Sequence, residues 1–342
     1  MQVLSKIMLG DVRRDWISGF CELLWTLPMK CKGCMIVHPY FTGGGFMRAL
    51  GVVSLVLGLA IPGTSLADDA WQTATYGLSY IDNFSSCPSS CQENTLNYAD
   101  DQINQLDSEL NSDGLTKSFK YARGSVQSTD IIEDHYSGYD HHYGDQVDLY
   151  AITTHGGIFT NNNGQSVYVA SYCSAQNTVY MSNISGDSNN CLAVSNKMFF
   201  GEQTNSWSNT FTTNPGKLRW LILSTCHSMD NPPSIWGGRF SYGLDYHMGY
   251  QGTMLLGETT DECLADFAHN AFGGTSKFKT VWFTANDDWW IDNTAGVFSC
   301  GNCSETTQND ANNWRDNYRK TWSRRQILSS CSYHCAYSTH EG

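Results

Sequence analysis

Two stretches decide the fold: DLYAITTHGG at residues 148–157 and RWLILSTCHS at residues 219–228. After one charged residue, Asp148 or Arg219, each continues as a run of aliphatic and aromatic residues without polar alternation, the pattern of a strand buried on both faces. Such strands belong to sheets that are largely parallel, with helices covering both sides. Each run also ends in reactive side chains, His155 followed by Gly156 and Gly157 in one and Cys226 in the other. Ligands of an open parallel sheet sit beyond the carboxyl ends of its strands. If these two strands adjoin, an imidazole and a thiol face one crevice.

Other segments extend the same pattern. Thr75–Ile81 reads as an aromatic strand, and Leu96, Ala99, Ile103, Leu106 and Leu110 mark one face of an amphipathic helix over 94–111, closed by Gly114. Strands are expected at Ser118–Ala122, at Val147–Ile152, at Leu218–Leu223, from Met248 to Leu256 and at Phe278–Thr284. Thr260 is placed to cap a helix over 261–272 that ends at Gly273-Gly274. Residues 158–214, rich in Asn, Ser, Thr and Gly and carrying Cys173 and Cys191, read as an inserted, disulfide-bearing hairpin layer. The expected class is α/β, a mostly parallel central sheet flanked by helices.

Met47-Arg48, the apolar run Ala49–Ile61 and the small-x-small triplet Ser65-Leu66-Ala67 have the form of a secretory signal peptide over 47–67. A thirteen-residue helical run spans about 20 Å, short of the roughly 30 Å of a bilayer core. A signal normally opens a chain, so 1–46 reads as a spurious or untranslated extension, and 68–342 as a single domain. Residues 68–342 hold 14 of the 20 basic and 30 of the 33 acidic residues, a net charge of -16. That acidity, without any basic run, argues against nucleic acid and against an anionic membrane as partners once the signal is cleaved. A secreted or periplasmic location is expected.

Ten of the thirteen cysteines fall in 68–342. Eight of them lie in local pairs, Cys87/Cys91, Cys173/Cys191, Cys300/Cys303 and Cys331/Cys335, which in an exported protein read as disulfides. The last four, two close pairs across a long spacer, also fit a zinc site. Cys226 and Cys263 have no local partner. One reading of Cys226 is a structural disulfide to Cys263, with His155 a core histidine; the other is a nucleophile. Acyl transfer needs a thiolate to attack the carbonyl carbon and an imidazole to pass the proton to the leaving amine. Gly156, without a side chain, can bring its N–H to the reacting carbonyl and, with the N–H of Cys226, form an oxyanion hole.

At these residues the chain resembles the caspase-haemoglobinase superfamily of cysteine peptidases, whose signature is a hydrophobic strand ending in His-Gly and a second ending in a small residue and Cys. His155-Gly156 and Thr225-Cys226 match it, with Thr where Ala is more usual. The resemblance implies a caspase-haemoglobinase-like fold, with Cys226 as nucleophile, His155 as general acid/base, Gly156 as oxyanion donor, a peptide or protein substrate and no cofactor. The stretches DHHYGDQVDLYAITTHGG and GLDYHMGYQGTM are also similar to an uncharacterised family of secreted bacterial domains, over about 125–290. That resemblance implies no particular activity. The step of 71 positions from His155 to Cys226 requires the insertion to loop away from the sheet or cover the cleft. No arginine pair matches an aspartate-selecting pocket. The alternative function is a catalytically silent extracellular binding module of the same fold.

Three further groups have a chemical and a bland reading. His227, if the chain stays extended, points away from its neighbour Cys226. His135, Asp140, His141, His142 and Asp145 have the ligand types of a divalent-metal site, although such loops are more often solvated rim. Trp282, Trp289 and Trp290 beside Asn286, Asp287 and Asp288 suit either a sugar-stacking platform or core packing at a strand end.

Overall fold

The computed structural model describes residues 73–341 apart from 88, 92, 134, 135, 137, 162, 174–190, 199–200, 204–210, 237–243, 259, 288–292, 303–306 and 324–333. The extension and signal-peptide readings at 1–46 and 47–67 lie outside these residues. Five strands run parallel: β1 (Thr75–Tyr80), β2 (Thr116–Ala122), β3 (Leu149–Thr153), β9 (Trp220–Ser224) and β10 (Tyr246–Gln251). An antiparallel pair, β11 (Thr294–Cys300) and β12 (Cys335–Glu341), completes a seven-stranded sheet in the order β12-β11-β10-β9-β3-β1-β2. β3 and β9 are direct neighbours, Leu149 opposite Trp220 and Thr153 opposite Ser224. Both are buried throughout, which is why they read as unbroken apolar runs.

Alternate residues of these strands feed two cores. Leu149, Ala151, Trp220 and Ile222 pack with Ile103, Leu106 and Leu110 of α1 (Ala99–Ser112), Leu264 and Phe267 of α3 (Cys263–Ala268), and Phe278 and Trp282 of α4 (Phe278–Ala285). Trp314 of α5 (Gln308–Asn317) joins the same core. Tyr150, Ile152, Leu221 and Leu223 face the opposite way, against Ile235 and Trp236 of α2 (Pro232–Trp236) and against the insertion. The insertion forms an antiparallel sheet of β4 (Gly156–Thr160), β5 (Ser166–Ser171) and β6 (Leu192–Val194), and a separate pair, β7 (Gly201–Gln203) with β8 (Phe211–Pro215). It therefore starts two residues before the expected 158, directly at Gly156.

Several expectations are corrected. Phe278–Thr284 is helical; its buried residues Phe278, Val281 and Trp282 follow the three- and four-residue steps of a helix, which a short β-branched and aromatic run conceals. The first helix begins at Ala99 rather than 94, after Tyr98 in the left-handed region at φ 67°. β10 stops at Gln251, where Gly252 turns the chain at φ 68°. Thr260 does not cap α3, whose N-cap is Glu262; its Oγ1 accepts from Gly257 N–H instead. β11, β12 and α5 were not anticipated, although Thr307 and Asp310 form a capping box at the start of α5.

The disulfides cross-link distant segments instead of closing local pairs. Cys87 joins Cys173, Cys91 joins Cys191 and Cys300 joins Cys335. Cys87 caps the single turn Phe84–Ser86 and Cys91 ends the next one, Ser89–Cys91, while Cys173 and Cys191 flank the facing ends of β5 and β6. Cys300 and Cys335 are register partners across β11 and β12. That bond removes two of the four ligands of the zinc reading; Cys303 and Cys331 lie outside the described residues. Three such bonds fit an extracellular protein. No helix among the described residues is long and apolar enough to cross a membrane.

Candidate functional site

The register of β3 on β9 brings the sequence-predicted residues to one edge. Thr153 lies opposite Ser224, and His155 and Cys226 follow two residues later, each beyond the end of its strand. One buried side chain of α1 ties the two strand ends together. Gln102 Oε1 accepts from Thr153 Oγ1 and from Ser224 Oγ, both at 2.7 Å, and Gln102 Nε2 donates to Thr260 O at 3.3 Å. A polar residue on the apolar face of an amphipathic helix is the one sequence signal for Gln102.

His155 is half-buried, with its ring in a defined setting. Nε2 lies 2.8 Å from the carbonyl oxygen of Asn94, and the Phe84 ring lies 5.4 Å away between centroids. A carbonyl only accepts, so Nε2 carries a proton and, in the neutral ring, Nδ1 keeps its lone pair. His155 O accepts from Ser171 N–H of β5 at 2.9 Å. The next pair, Gly156 with Ala170, is therefore of the non-hydrogen-bonded kind, and the Gly156 N–H turns away from β5. Gly156 is pressed against the turn that carries the thiol. A Cβ there would lie 2.5 Å from Cys226 O and 2.9 Å from Thr225 Cβ, so only glycine fits.

Cys226 is partly buried, and no disulfide joins it to Cys263. Its sulfur accepts from Met254 N–H at 3.3 Å and lies 3.7 Å from Met254 O. The preceding Thr225 is fixed by Tyr168 of β5, the two hydroxyl oxygens being 2.5 Å apart. The chain does not stay extended after Cys226. His227 adopts φ 60°, a left-handed conformation that is costly for a residue with a Cβ. Its N–H donates to Gly252 O at 2.6 Å, and its Nδ1 lies 2.7 Å from Asp230 Oδ2. Asp230 Oδ1 accepts from Gly252 N–H at 2.8 Å, tying this turn to the end of β10. The rim at the end of β1 carries a bidentate pair, in which Arg123 Nε donates to Asp82 Oδ1 at 2.6 Å; that hydrogen bond holds the Asp82 carboxyl below its usual range.

The other candidates disperse. Among Asp140, His141, His142 and Asp145, no three ligand atoms converge, and His135 is outside the described residues. Among the described residues, one such group converges elsewhere: Glu109, Asp113 and His269 place ligand atoms within 4.8 Å of one another, with His269 Nδ1 already 2.7 Å from Glu109 Oε1. Trp282 is fully buried in the helix-side core, and Asn286 bonds Tyr250 OH and Trp282 O, so neither belongs to a sugar platform; Asp288, Trp289 and Trp290 are not described.

A sequence family described as Domain of unknown function (DUF6345) matches residues 79–333, a span that includes both strand ends and the insertion. The match names no activity and makes no connection to the caspase-haemoglobinase peptidases. No curated protein matches the chain.

Proposed function

We propose a function from one premise: the chain belongs to the DUF6345 family, whose description assigns no activity, so the reading rests on the site itself. It is a secreted cysteine peptidase or related amidohydrolase of caspase-haemoglobinase type, acting on peptide amides through His155 and Cys226. The observation that carries the reading is the pairing of β3 with β9, which ends one strand at an imidazole and its neighbour at a thiol outside any disulfide. In the reaction, Nδ1 of His155 takes the thiol proton and the sulfur attacks the carbonyl carbon. The N–H groups of Gly156 and Cys226 receive the oxyanion, an interaction worth about 3 kcal/mol per donor. The imidazolium then gives its proton to the leaving amine, and water, deprotonated by the same ring, hydrolyses the thioester. The signal-like segment at 47–67 and the three disulfides support export.

Hydrolysis of a peptide library by the mature chain, compared with its Cys226→Ala variant, tests this. Loss of at least about 10³-fold in kcat/KM is expected, with unchanged circular dichroism. Hydrolysis that survives the substitution would remove Cys226 from the mechanism. A wild-type chain that cleaves nothing and resists thiol-directed probes would favour the silent binding module.

A further inference from the structure

The segment between β1 and α1 is a closed and stapled loop. Leu96 N–H donates to Asp82 O at 2.7 Å, which closes residues 83–95 at their neck. Within the loop, Cys87 and Cys91 are bonded to Cys173 and Cys191 of the insertion. The same loop supplies both contacts to the His155 ring, the Phe84 ring and the Asn94 carbonyl. The insertion holds the other side of that residue: Ser171, two residues before Cys173, donates its N–H to His155 O and accepts from Thr154 Oγ1–H at its carbonyl. The acceptor at Nε2 is a main-chain atom, so its position depends on the course of the loop and not on the identity of residue 94.

We propose that the two disulfides are the positioning device of His155, holding the Asn94 carbonyl and the Phe84 ring against the imidazole, so that the dyad is assembled only in the oxidised protein. The proposal rests on the reading of His155 as the acid/base. Its consequence is that the chain becomes competent when Cys87–Cys173 and Cys91–Cys191 form, each by exchange with a disulfide oxidant of the export compartment, which is reduced to its dithiol as it takes up the two electrons and two protons.

The test uses the mature chain and the variants Cys87→Ser/Cys173→Ser, Cys91→Ser/Cys191→Ser and Phe84→Ala, the last with both staples intact. The first readout is the His155 ring in long-range proton–nitrogen spectra, with the solvent exchange of Nε2–H and the ring's pH titration. The second is the rate at which a peptidyl electrophile modifies Cys226. Each variant is expected to shift the His155 ring signals, to speed Nε2–H exchange and to slow Cys226 modification about tenfold or more, since a small misplacement of a reacting group costs that much. The other histidine signals should stay in place. A staple needed only for stability would leave a folded variant with unchanged ring signals, and that result overturns the proposal. If neither staple variant folds, Phe84→Ala decides: unchanged His155 signals would also overturn it. Ring signals that move while Cys226 is inert even in the wild type would keep the positioning device and sink the peptidase reading. Reactive Cys226 with unmoved ring signals would do the reverse.

Discussion

At the residue scale, the site depends on a backbone approach and on partners remote in sequence. Gly156 lies where any Cβ would strike the Cys226 carbonyl and Thr225, both belonging to the turn itself, so no rotamer change relieves the contact. Gly156→Ala is expected to part the two strand ends, costing about 1–3 kcal/mol of stability and at least about 100-fold in kcat/KM. Urea unfolding and peptide hydrolysis measure the two effects; a variant with wild-type turnover would show that the close approach has no part in catalysis. His155, Gly156 and Cys226 were legible because each follows an apolar run directly along the chain. Asn94, Gln102 and Met254 were not. Asn94 acts through its carbonyl and Met254 through its N–H and carbonyl, groups every residue has, and Gln102 stands out in the sequence only as a polar residue on an apolar helix face, its role appearing once α1 lies across both strand ends.

At the element scale, the parallel strands were legible and the end of the chain was not. β3 and β9 read as apolar runs because both faces are covered; each starts two residues later and ends one residue later than expected. The run 278–284 misled because its residue types favour strands while its burial follows a helix. The two geometries place Thr280 and Thr284 differently. A strand would put them on the face of Phe278 and Trp282; the helix leaves them exposed. Thr280→Glu and Thr284→Glu are therefore expected to change stability by no more than about 0.5 kcal/mol. Trp282→Ala, which empties the space among Tyr250, Phe267 and Leu264, should cost about 3–5 kcal/mol. Thermal unfolding separates these cases, and a severe loss at either threonine would contradict the helix. The disulfides mislead for a related reason: nearness in sequence pairs Cys87 with Cys91, whereas the antiparallel pairing of β5 with β6 brings the insertion's cysteines to both of them.

At the scale of the whole molecule, the sheet, the insertion and the staples act together, and the interior also holds titratable groups that set the response to pH. Burial pushes Asp130 up to about 7, although Gln127 N–H donates to its carboxylate at 3.0 Å. In the unfolded chain an aspartate titrates near 4. Between those values the native state binds more protons, so the contribution present at acid pH is lost as pH rises through 7. Asp130→Asn, which keeps an oxygen for Gln127 N–H, should match the wild type near pH 4 and exceed it at pH 8 by on the order of 1–4 kcal/mol. Urea unfolding across that range checks it, and a difference independent of pH would refute the assignment.

If the matched strand ends make one reactive pair, the reactivity of the Cys226 sulfur depends on the His155 imidazole. The most direct measurement is the modification of the oxidised mature chain by a peptidyl electrophile, with the labelled residue mapped by mass spectrometry in wild type and in His155→Ala. A single adduct on Cys226 is expected, forming at least about 100-fold more slowly without His155, while both chains alkylate equally once denatured. An adduct elsewhere, or equal rates in the two folded chains, would contradict it.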